Sequence, residues 1–368
     1  MASGVDVVGF FTGEFGLGEA GRLLVKALRS VNYPVSTLLT TVPNHRNSHY
    51  FPTDNVFRHD AAIISTNASE IPGVYNQFGI EPFRSRYVIG QWFWELEEFP
   101  QQHHMGYQHV NELWAPTKFI QASLSKYAPE HVKVIHMPLP LLPPKVNEEV
   151  ERKNFNISDD RFMFLFTFDF CSSTARKNPY GVLEAFKKAF KENEGPILVV
   201  KSVNDKTFPN ALGNLMVHAE GRRDIIFFSE HFDHAIVSSL RNLCDCYVSL
   251  HRSEGLGLTI SEAMCLGKPV IATGYSGNMD FMNENNSIPI PWEYTLAGPN
   301  AFPYQADARW AEPNLDEAAK AMRYVYENDT AAKKLGEQAK KDMEEKFSLE
   351  ACGTRMAARL NKVQLRSQ

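Results

Sequence analysis

Three features are missing from this sequence of 368 residues, and each absence excludes a class of protein. No stretch approaches the roughly 18 apolar residues that a membrane-spanning helix requires. The net charge is only -5, which excludes a broad surface for nucleic acid. The five cysteines are odd in number and follow neither a disulfide framework nor the ligand spacing of a zinc site. They are interpreted as buried thiols in a reducing compartment.

The N-terminal end of the sequence carries no leader pattern. A strand-like run, GVDVVGFF, begins at Gly4 without the charged and apolar regions of a signal peptide. We therefore expect a cytoplasmic protein. Peripheral contact with the inner face of a membrane is compatible with this composition.

Short β-branched or aromatic runs alternate with helical patterns along most of the chain. Strands are predicted at Val5–Phe11, Val35–Leu39, Ala61–Ser65, Tyr87–Gln91, Glu112–Ala115, Val132–His136, Phe162–Phe168, Ile197–Lys201, Ile225–Phe228, Cys246–Leu250 and Val270–Thr273. Helices are predicted between most of them, for example at Glu19–Arg29, Phe119–Tyr127, Pro179–Phe190, His234–Leu243 and Thr259–Leu266. This alternation predicts an α/β fold in which helices cover parallel sheets.

The alternating pattern stops between Met137 and Asp160, where the Pro-rich run PLPLLPP is followed by the charged run NEEVERKN. We interpret residues 141–158 as a linker. The linker separates an N-terminal domain, 1–140, from a C-terminal domain, 159–349, and a C-terminal helix at 350–368 is expected to complete the first domain. A chain of this length suits two domains. The prediction is two Rossmann-like domains whose parallel sheets face an interdomain cleft.

The strongest local pattern is SLHRSEGLGLTISEAMCLGKPVIATGYSGNMDFM, residues 249–282. A strand is predicted to end near Leu250, a turn with Gly255 and Gly257 follows, and a helix begins near Thr259. Glycines allow the backbone to approach a ligand closely, and the free N–H groups at a helix start favour anions. The expected ligand is a diphosphate outside the carboxyl end of the strand.

Two glutamates accompany this predicted anion site, Glu254 in the turn and Glu262 on the first turns of the helix. Carboxylates placed in this way can hold hydroxyl groups at the two ends of a nucleotide sugar. The alternative is that Glu254 is a solvated loop residue and Glu262 a favourable charge near a helix N-terminus. The density of glycine and glutamate before an apolar helix favours a binding site.

The run EGLGL at 254–258, followed by EAMCLGKPVI at 262–271, resembles the Glu–seven residues–Glu signature of glycosyltransferase family four. Elsewhere, GLGE at 16–19 is similar to that family's N-terminal glycine loop, and residues 168–190 are similar to the segment with its phosphate-binding lysine. The runs IGQWFWELEEFP at 89–100 and NELWAPTKF at 111–119 resemble a branch of bacterial polysaccharide and O-antigen enzymes. The resemblance covers nearly the whole chain and implies a retaining glycosyltransferase of the two-domain GT-B architecture.

The resemblance also implies roles for individual residues. Glu254 would hold hydroxyls of the transferred sugar, Glu262 would hold the nucleotide ribose, and Lys177 would neutralise the diphosphate leaving group. Arg176, beside Lys177, either assists or is a structural surface cation. On the donor side, the turn would make the other contacts through Gly255, Leu256, Gly257, Leu258 and Thr259. On the acceptor side, the contacts would be made by Gly16 and Gly18.

One departure from the family concerns its phosphate-binding arginine. The family often places this arginine six residues before the lysine, and that position is Cys171 here. Arg176 or Arg252 is therefore expected to supply the second cation on the donor side. His251 immediately precedes Arg252, which makes it a further candidate for a residue that faces the ligand.

A second departure lies in the N-terminal domain, where the family often presents a histidine after its fourth strand. The comparable residues are Trp92, Trp94 and Glu95, which are candidates for the sugar or acceptor side. Packing of both tryptophans in the core is the alternative. His45 and Arg46 lie in a polar loop that can touch an acceptor, although a solvated loop is the simpler interpretation.

The sequence has no Asp-x-Asp pair, which is the usual motif that binds Mg²⁺ or Mn²⁺ in the other large glycosyltransferase fold. With Lys177 and a helix start available, we expect fixed protein charge to replace a metal, and no cofactor is predicted. The predicted donor is a UDP- or GDP-sugar. The predicted acceptor is a glycan, a lipid-linked glycan or another hydroxyl compound. The resemblance implies that its hydroxyl attacks the anomeric carbon of the donor sugar from the front face. The alternatives are a GT-B epimerase or phosphorylase, and a non-catalytic nucleotide-sugar-binding partner of another transferase.

Overall fold

The computed structural model describes residues 4–42, 46–208 and 210–365 of the chain. The chain divides into two compact units. Unit 1 comprises Met1–Leu141 and Glu345–Gln368, and unit 2 comprises Leu142–Glu344. Each unit contains a parallel sheet with accompanying helices.

Fourteen strands are found in the described residues. They are β1 Val5–Gly9, β2 Val35–Leu39, β3 Ala61–Ser65, β4 Tyr87–Gln91, β5 Glu112–Ala115, β6 Lys133–His136, β7 Met163–Asp169, β8 Ile197–Val203, β9 Ile225–Phe228, β10 Cys246–Ser249, β11 Val270–Thr273, β12 Ile288–Ile290, β13 Trp292–Leu296 and β14 Arg309–Pro313.

Twelve α-helices accompany the strands in the same described ranges. They are α1 Gly16–Ser30, α2 Ile71–Phe78, α3 Glu81–Arg84, α4 Lys118–Ser125, α5 Thr174–Lys177, α6 Pro179–Ala189, α7 Ala211–His218, α8 His234–Leu243, α9 Leu258–Cys265, α10 Leu315–Glu327, α11 Asp329–Lys346 and α12 Leu349–Gln364.

The sheet of unit 1 has the strand order β2-β1-β3-β4-β5-β6, and all neighbouring pairs are parallel. All five residues of β1 and all five of β3 are buried, which matches the continuous apolar runs of a sheet covered on both faces. In α1, Leu23, Leu24 and Leu28 are buried while Lys26 and Arg29 are exposed. This helical pattern directs one apolar side of α1 to the core.

Helix α12 closes unit 1 with residues from the far end of the chain. It packs on α1 so tightly that a Cβ atom on Gly353 would lie 2.0 Å from the carbonyl oxygen of Ala27. Its Arg359 pairs with Glu112 of β5, a carboxylate that is fully buried, with Nε 2.9 Å from Oε1. The core of unit 1 is therefore built from both ends of the chain.

The sheet of unit 2 has the order β12-β11-β10-β7-β8-β9 and is also parallel throughout. The strand order reverses between β7 and β10, and ligands of open α/β sheets bind outside the carboxyl ends of the strands at such a point. The core beside these strands is rich in phenylalanine, including Phe164, Phe166, Phe186 and Phe190. Strands β13 and β14 form a separate antiparallel ribbon.

The prediction of an α/β fold with two Rossmann-like, parallel-sheet domains is confirmed. Residues 142–158, which were interpreted as part of a linker, belong to unit 2 and include a 3₁₀ helix at Arg152–Phe155. The guanidinium of Arg152 donates hydrogen bonds to Leu243 O and Asp245 Oδ2, both at 2.8 Å.

The prediction that the cysteines are buried is correct for four of them and wrong for Cys171. Cys171 is exposed, and it lies on a short 3₁₀ helix, Phe170–Ser172, directly after β7, where Phe170 takes the buried position. Its backbone N–H donates to Oδ1 of Asp169 at 2.8 Å.

Candidate active site

Two segments of unit 2 meet where the strand order reverses, because β7 and β10 are parallel neighbours and their chains leave the sheet at the same edge. Hydrogen bonds join the two segments. Asn178 Nδ2 donates to the carbonyl oxygen of Leu250 at 2.8 Å, and the N–H of Arg252 donates to the carbonyl oxygen of Arg176 at 2.8 Å. The segments that carry Lys177 and Glu254 are thereby held together at the edge where such sheets bind ligands.

The backbone around this edge takes unusual conformations. Ser173, Asn178 and Ser276 have φ values of 65°, 54° and 72°, although none of them is glycine. Asn178 caps α6, since its Oδ1 accepts a hydrogen bond from Gly181 N at 3.1 Å. A non-glycine residue in this region costs of the order of 1–3 kcal/mol, and such residues cluster at functional sites.

Glu254 lies between two cations. Its Oε2 is 3.3 Å from Nη1 of Arg176, and its Oε1 accepts a hydrogen bond from Nζ of Lys177. None of these three side chains is more than 15% exposed. Burial alone would raise the pKa of the Glu254 carboxyl, but Lys177 and Arg176 together lower this pKa to about 2. Glu254 is therefore an anion at neutral pH.

His251 is a fully buried neighbour of this charged cluster. Its side chain has no exposed surface, and Asn278 is a polar neighbour of the ring. Burial lowers the pKa of His251 to about 4, and the charges of Lys177 and Arg176 act in the same direction while Glu254 opposes them. The imidazole is therefore neutral at neutral pH, and two cations with one carboxylate leave the cluster with a net positive charge.

The glycine turn after Glu254 ends at the start of α9. Gly257 has a φ of 85°, a conformation that favours glycine, and it occupies the N-cap position. No side chain in the described part of the chain caps this helix through a hydrogen bond. The first N–H groups of α9, including those of Leu258 and Thr259, lie at the positive end of the helix dipole, which attracts anions.

A segment that follows β11 clamps the glycine turn. Ser276 Oγ accepts a hydrogen bond from Glu254 N at 2.8 Å, and Gly277 N donates to Glu254 O at 2.8 Å. A Cβ atom on Gly277 would lie 1.9 Å from Gly255 O, so only glycine allows this approach. Sequence reasoning placed these residues in the long motif but assigned no part to them.

Glu262 has partners of its own. Its Oε2 is 2.7 Å from Nη1 of Arg241, and its Oε1 is 3.8 Å from Nε2 of His234. Both partners lie on α8, and sequence reasoning found neither of them. The sequence signal that could have identified Arg241 is its place as a basic residue on α8, the helix before α9. Successive helices of a parallel βαβ sheet lie close together.

Arg252 is committed to contacts other than Glu254. Its Nε is 2.6 Å from Oε2 of Glu312 on β14, and its Nη1 donates to the carbonyl oxygen of Ala175 at 2.6 Å. Arg252 therefore fastens the β13–β14 ribbon to the segment after β7. Of the two arginines considered as the second donor-side cation, Arg176 is the one that contacts Glu254.

The two N-terminal glycines lie in the first turn of α1 rather than in a loop. A Cβ atom on Gly18 would come within 2.5 Å of the carbonyl oxygen of Gly13, whereas one on Gly16 would meet no described atom within 4 Å. Gly18 therefore allows close packing of α1 against the turn after β1. Gly16 leaves open space on the surface of the helix.

Trp92 belongs to the core of unit 1. It is fully buried, and its ring lies 5.8 Å from Phe99 in a stacked arrangement and 5.2 Å from Tyr107 edge-on. The absence of exposed surface favours the core-packing interpretation of Trp92 over the acceptor-side one, which stays a prediction.

Trp94 and Glu95 are half-buried and so remain accessible in part. The indole N–H of Trp94 donates to the carbonyl oxygen of Glu98 at 2.8 Å. Arg46 is exposed, and His45 lies outside the described residues. The acceptor-side assignments in unit 1 stay predictions.

The two Rossmann-like, parallel-sheet units have the fold of the GT-B glycosyltransferases. Residues 147–342 match the sequence model of the family described as Glycosyl transferases group 1. This match covers more than half of the chain. The protein belongs to that family and is a glycosyltransferase.

Solved structures share the fold at low sequence identity. The sucrose-phosphate synthase from Thermosynechococcus elongatus is 13% identical with a TM-score of 0.70, over 100% of both chains. HepE from Anabaena, in complex with UDP and glucose, is 13% identical with a TM-score of 0.68, over 98% of this chain and 100% of that one. A glycosyltransferase from Rickettsia africae is 15% identical with a TM-score of 0.66, over 98% of both.

No curated protein sequence matches this chain. Across residues 4–42, 46–208 and 210–365, no helix has both the length and the apolar character needed to cross a membrane.

Proposed function

We propose that this protein is a retaining, metal-independent glycosyltransferase that moves a sugar from a UDP- or GDP-sugar to a hydroxyl acceptor. The observation that carries the proposal is the Glu254 carboxylate, held by Arg176 and Lys177 at the ligand-binding edge of the unit 2 sheet. Membership of the glycosyl transferases group 1 family supports sugar transfer. The HepE structure, which contains UDP and glucose, supports a nucleotide-sugar donor.

The proposed leaving-group site uses fixed charge. Negative charge grows on the diphosphate as the bond between the sugar and the phosphate oxygen breaks. Lys177 and Arg176 provide two cations, and the first N–H groups of α9 add the positive end of a helix. Preorganised donors of this kind stabilise developing charge in a buried site without a metal ion.

Glu254 is proposed to hold hydroxyls of the transferred sugar and not to attack it. Its two oxygens contact cations and the pKa of its carboxyl is about 2, so this carboxylate is a weak nucleophile. Double displacement needs a carboxylate that bonds to the anomeric carbon. We therefore infer front-face attack, in which the acceptor oxygen bonds to the anomeric carbon while the departing phosphate oxygen takes the acceptor proton.

Glu262 is proposed to hold the ribose, since it lies on α9 with contacts separate from those of Glu254. The acceptor is proposed to be a glycan or lipid-linked glycan of bacterial polysaccharide synthesis, which makes peripheral membrane contact part of the proposal. Gly16, Gly18, Trp94 and Glu95 remain candidates for the acceptor side. The roles of Gly16 and Gly18 rest on the family resemblance, and those of Trp94 and Glu95 rest on their position after β4.

The test is a screen of the purified protein against UDP-, GDP- and TDP-sugars, with binding measured by calorimetry and slow hydrolysis measured by release of the diphosphate. We expect one nucleotide class to bind, and its hydrolysis to be unchanged by EDTA. NMR of the first-formed sugar product should show the anomeric configuration of the donor.

Other results would contradict specific parts of the proposal. Activity lost in EDTA and restored by Mg²⁺ or Mn²⁺ would refute metal independence, and an inverted product would refute retention. Binding without turnover under any condition would identify a non-catalytic partner. An epimerised donor, or cleavage that requires inorganic phosphate, would identify the GT-B epimerase or phosphorylase.

A further inference from the structure

Arg241 is a buried cation next to Glu262. It lies on α8, its side chain is only 3% exposed, and its Nη1 is 2.7 Å from Oε2 of Glu262. No other carboxylate lies within 4 Å of this guanidinium in the described ranges. A buried arginine with a single carboxylate partner is costly to maintain for stability alone, because desolvation offsets much of the attraction.

An aromatic ring lies beside the guanidinium of Arg241. The group lies 5.9 Å from the ring centroid of Tyr247, which is fully buried and whose hydroxyl is 2.8 Å from Oγ1 of Thr167. Nε of Arg241 has no hydrogen-bond partner among the residues that the structure describes. The ion pair with Glu262 is its one salt bridge within the described residues.

The ion pair leaves the two oxygens of Glu262 in different situations. Oε2 is held by Arg241, whereas Oε1 lies 3.8 Å from His234, whose side chain is 65% exposed. The Glu262 side chain itself is 20% exposed. A glutamate near a helix start would otherwise sample several rotamers, and an acceptor fixed in advance binds a hydroxyl at a lower entropic cost.

We propose that Arg241 is a positioning residue that orients Glu262 to accept hydrogen bonds from ribose hydroxyls. The pair would thereby select ribonucleotides over deoxyribonucleotides. The inference rests on the proposed function, because it takes Glu262 as the ribose contact. Arg241 does not touch the nucleotide in this proposal. It acts by orienting one oxygen of the carboxylate that does.

The test compares affinities for UDP, 2′-deoxy-UDP and 3′-deoxy-UDP, and for the corresponding guanosine diphosphates, by titration calorimetry. A hydroxyl bonded to a carboxylate contributes enough that we expect the wild-type protein to prefer the ribonucleotide by roughly 10- to 100-fold over one deoxy analogue. In Arg241→Gln this preference should fall to within about threefold, because the carboxylate is no longer fixed. Arg241→Lys keeps the charge without the planar fork and should be intermediate.

Arg222→Gln is the matched control, since Arg222 also pairs with a carboxylate, Asp224 at 2.6 Å, and lies 5.2 Å from the ring of Phe186. It should lose stability in the same way while it keeps the full ribose preference. A merely structural role of Arg241 would therefore change thermal unfolding but not the affinity ratio.

The outcomes separate this inference from the proposed function. A wild-type protein that binds neither UDP nor GDP refutes the nucleotide-sugar proposal itself. A wild-type protein that binds one of them without ribose preference, or a folded Arg241→Gln that keeps the preference, overturns the role of Arg241. If Arg241→Gln does not fold, an unchanged preference in Arg241→Lys overturns it equally.

Discussion

The segments that follow β10 in unit 2 and β4 in unit 1 leave the carboxyl edge of a parallel sheet in the same way, but different forces hold them. After β10, Glu254 is held by ion pairs with Arg176 and Lys177. After β4, Trp92 is held by the rings of an aromatic cluster and has no exposed surface. Charged groups that pair at a strand end remain available for chemistry, whereas a ring that fills the core does not.

The largest expected effect tests the unit 1 side of this comparison. Trp92→Ala should lower the free energy of unfolding by about 3–5 kcal/mol, because a large buried ring is removed from a packed cluster. Urea unfolding measures this loss. Trp94→Ala is the control, and its loss should be clearly smaller because Trp94 is only half-buried. A stable Trp92→Ala with altered acceptor KM would show that the ring serves the site.

On the unit 2 side of the comparison, we expect a substitution to lower activity and not stability. Lys177→Ala should lower kcat about 10²- to 10³-fold, as loss of one preorganised charge stabiliser does. Lys187→Ala is a matched control, since Lys187 is 13% exposed and pairs with Glu184 at 2.7 Å. Steady-state kinetics should show no such loss for this control. A change below about twofold in folded Lys177→Ala would make Lys177 structural.

A third prediction concerns how the free energy of unfolding depends on pH through His251, a member of the charged cluster. The pKa of His251 is about 4 in the folded protein against an ordinary 6.5, so folding favours the neutral form. Its contribution to stability is therefore complete above pH 6.5 and is lost as the pH falls toward 4. This loss amounts to about 3 kcal/mol at most. The contribution of Glu254, with its pKa lowered to about 2, is lost only at lower pH.

His251→Gln should therefore flatten the dependence of unfolding free energy on pH between 6.5 and 4. Urea unfolding of wild type and variant at several pH values measures the difference. Equal slopes in the two proteins would mean that His251 titrates normally and is not part of a tightly packed charged cluster.

The smallest expected effect distinguishes the two glutamates. Glu262→Gln should weaken binding of the free nucleotide diphosphate and of the intact donor alike, by about tenfold, because ribose is present in both. Glu254→Gln should not lower diphosphate affinity but should lower turnover, because its contacts are to the transferred sugar. Calorimetry with the diphosphate and kinetics with the donor separate these outcomes. The reverse pattern would exchange the two roles.

Elements with strong local patterns could be predicted from the sequence. Strands β2 and β4 have the predicted bounds, since each is a short apolar run between turns. Strand β12 was missed because it has three residues with Pro289 in the middle, and proline disfavours a strand. The β13–β14 ribbon was missed because no turn signal of a short hairpin links its strands.

The candidate site could be predicted residue by residue but not contact by contact. Glu254 and Lys177 were each identified, yet their hydrogen bond joins residues 77 positions apart. Arg241 was missed for the same reason, since its pair with Glu262 depends on how two crossover helices pack. Local spacing reports which residues can do chemistry, and the sheet topology decides which of them meet.

The return of α12 to unit 1 has a consequence for synthesis on the ribosome. Unit 2 is one uninterrupted stretch, Leu142–Glu344, and all of it is translated before α12. Until Arg359 emerges, Glu112 has no countercharge from α12, and the surface of α1 near Ala27 is uncovered. The unit that carries Glu254 and Lys177 can thus finish folding first, although the N-terminal unit is the first to be made.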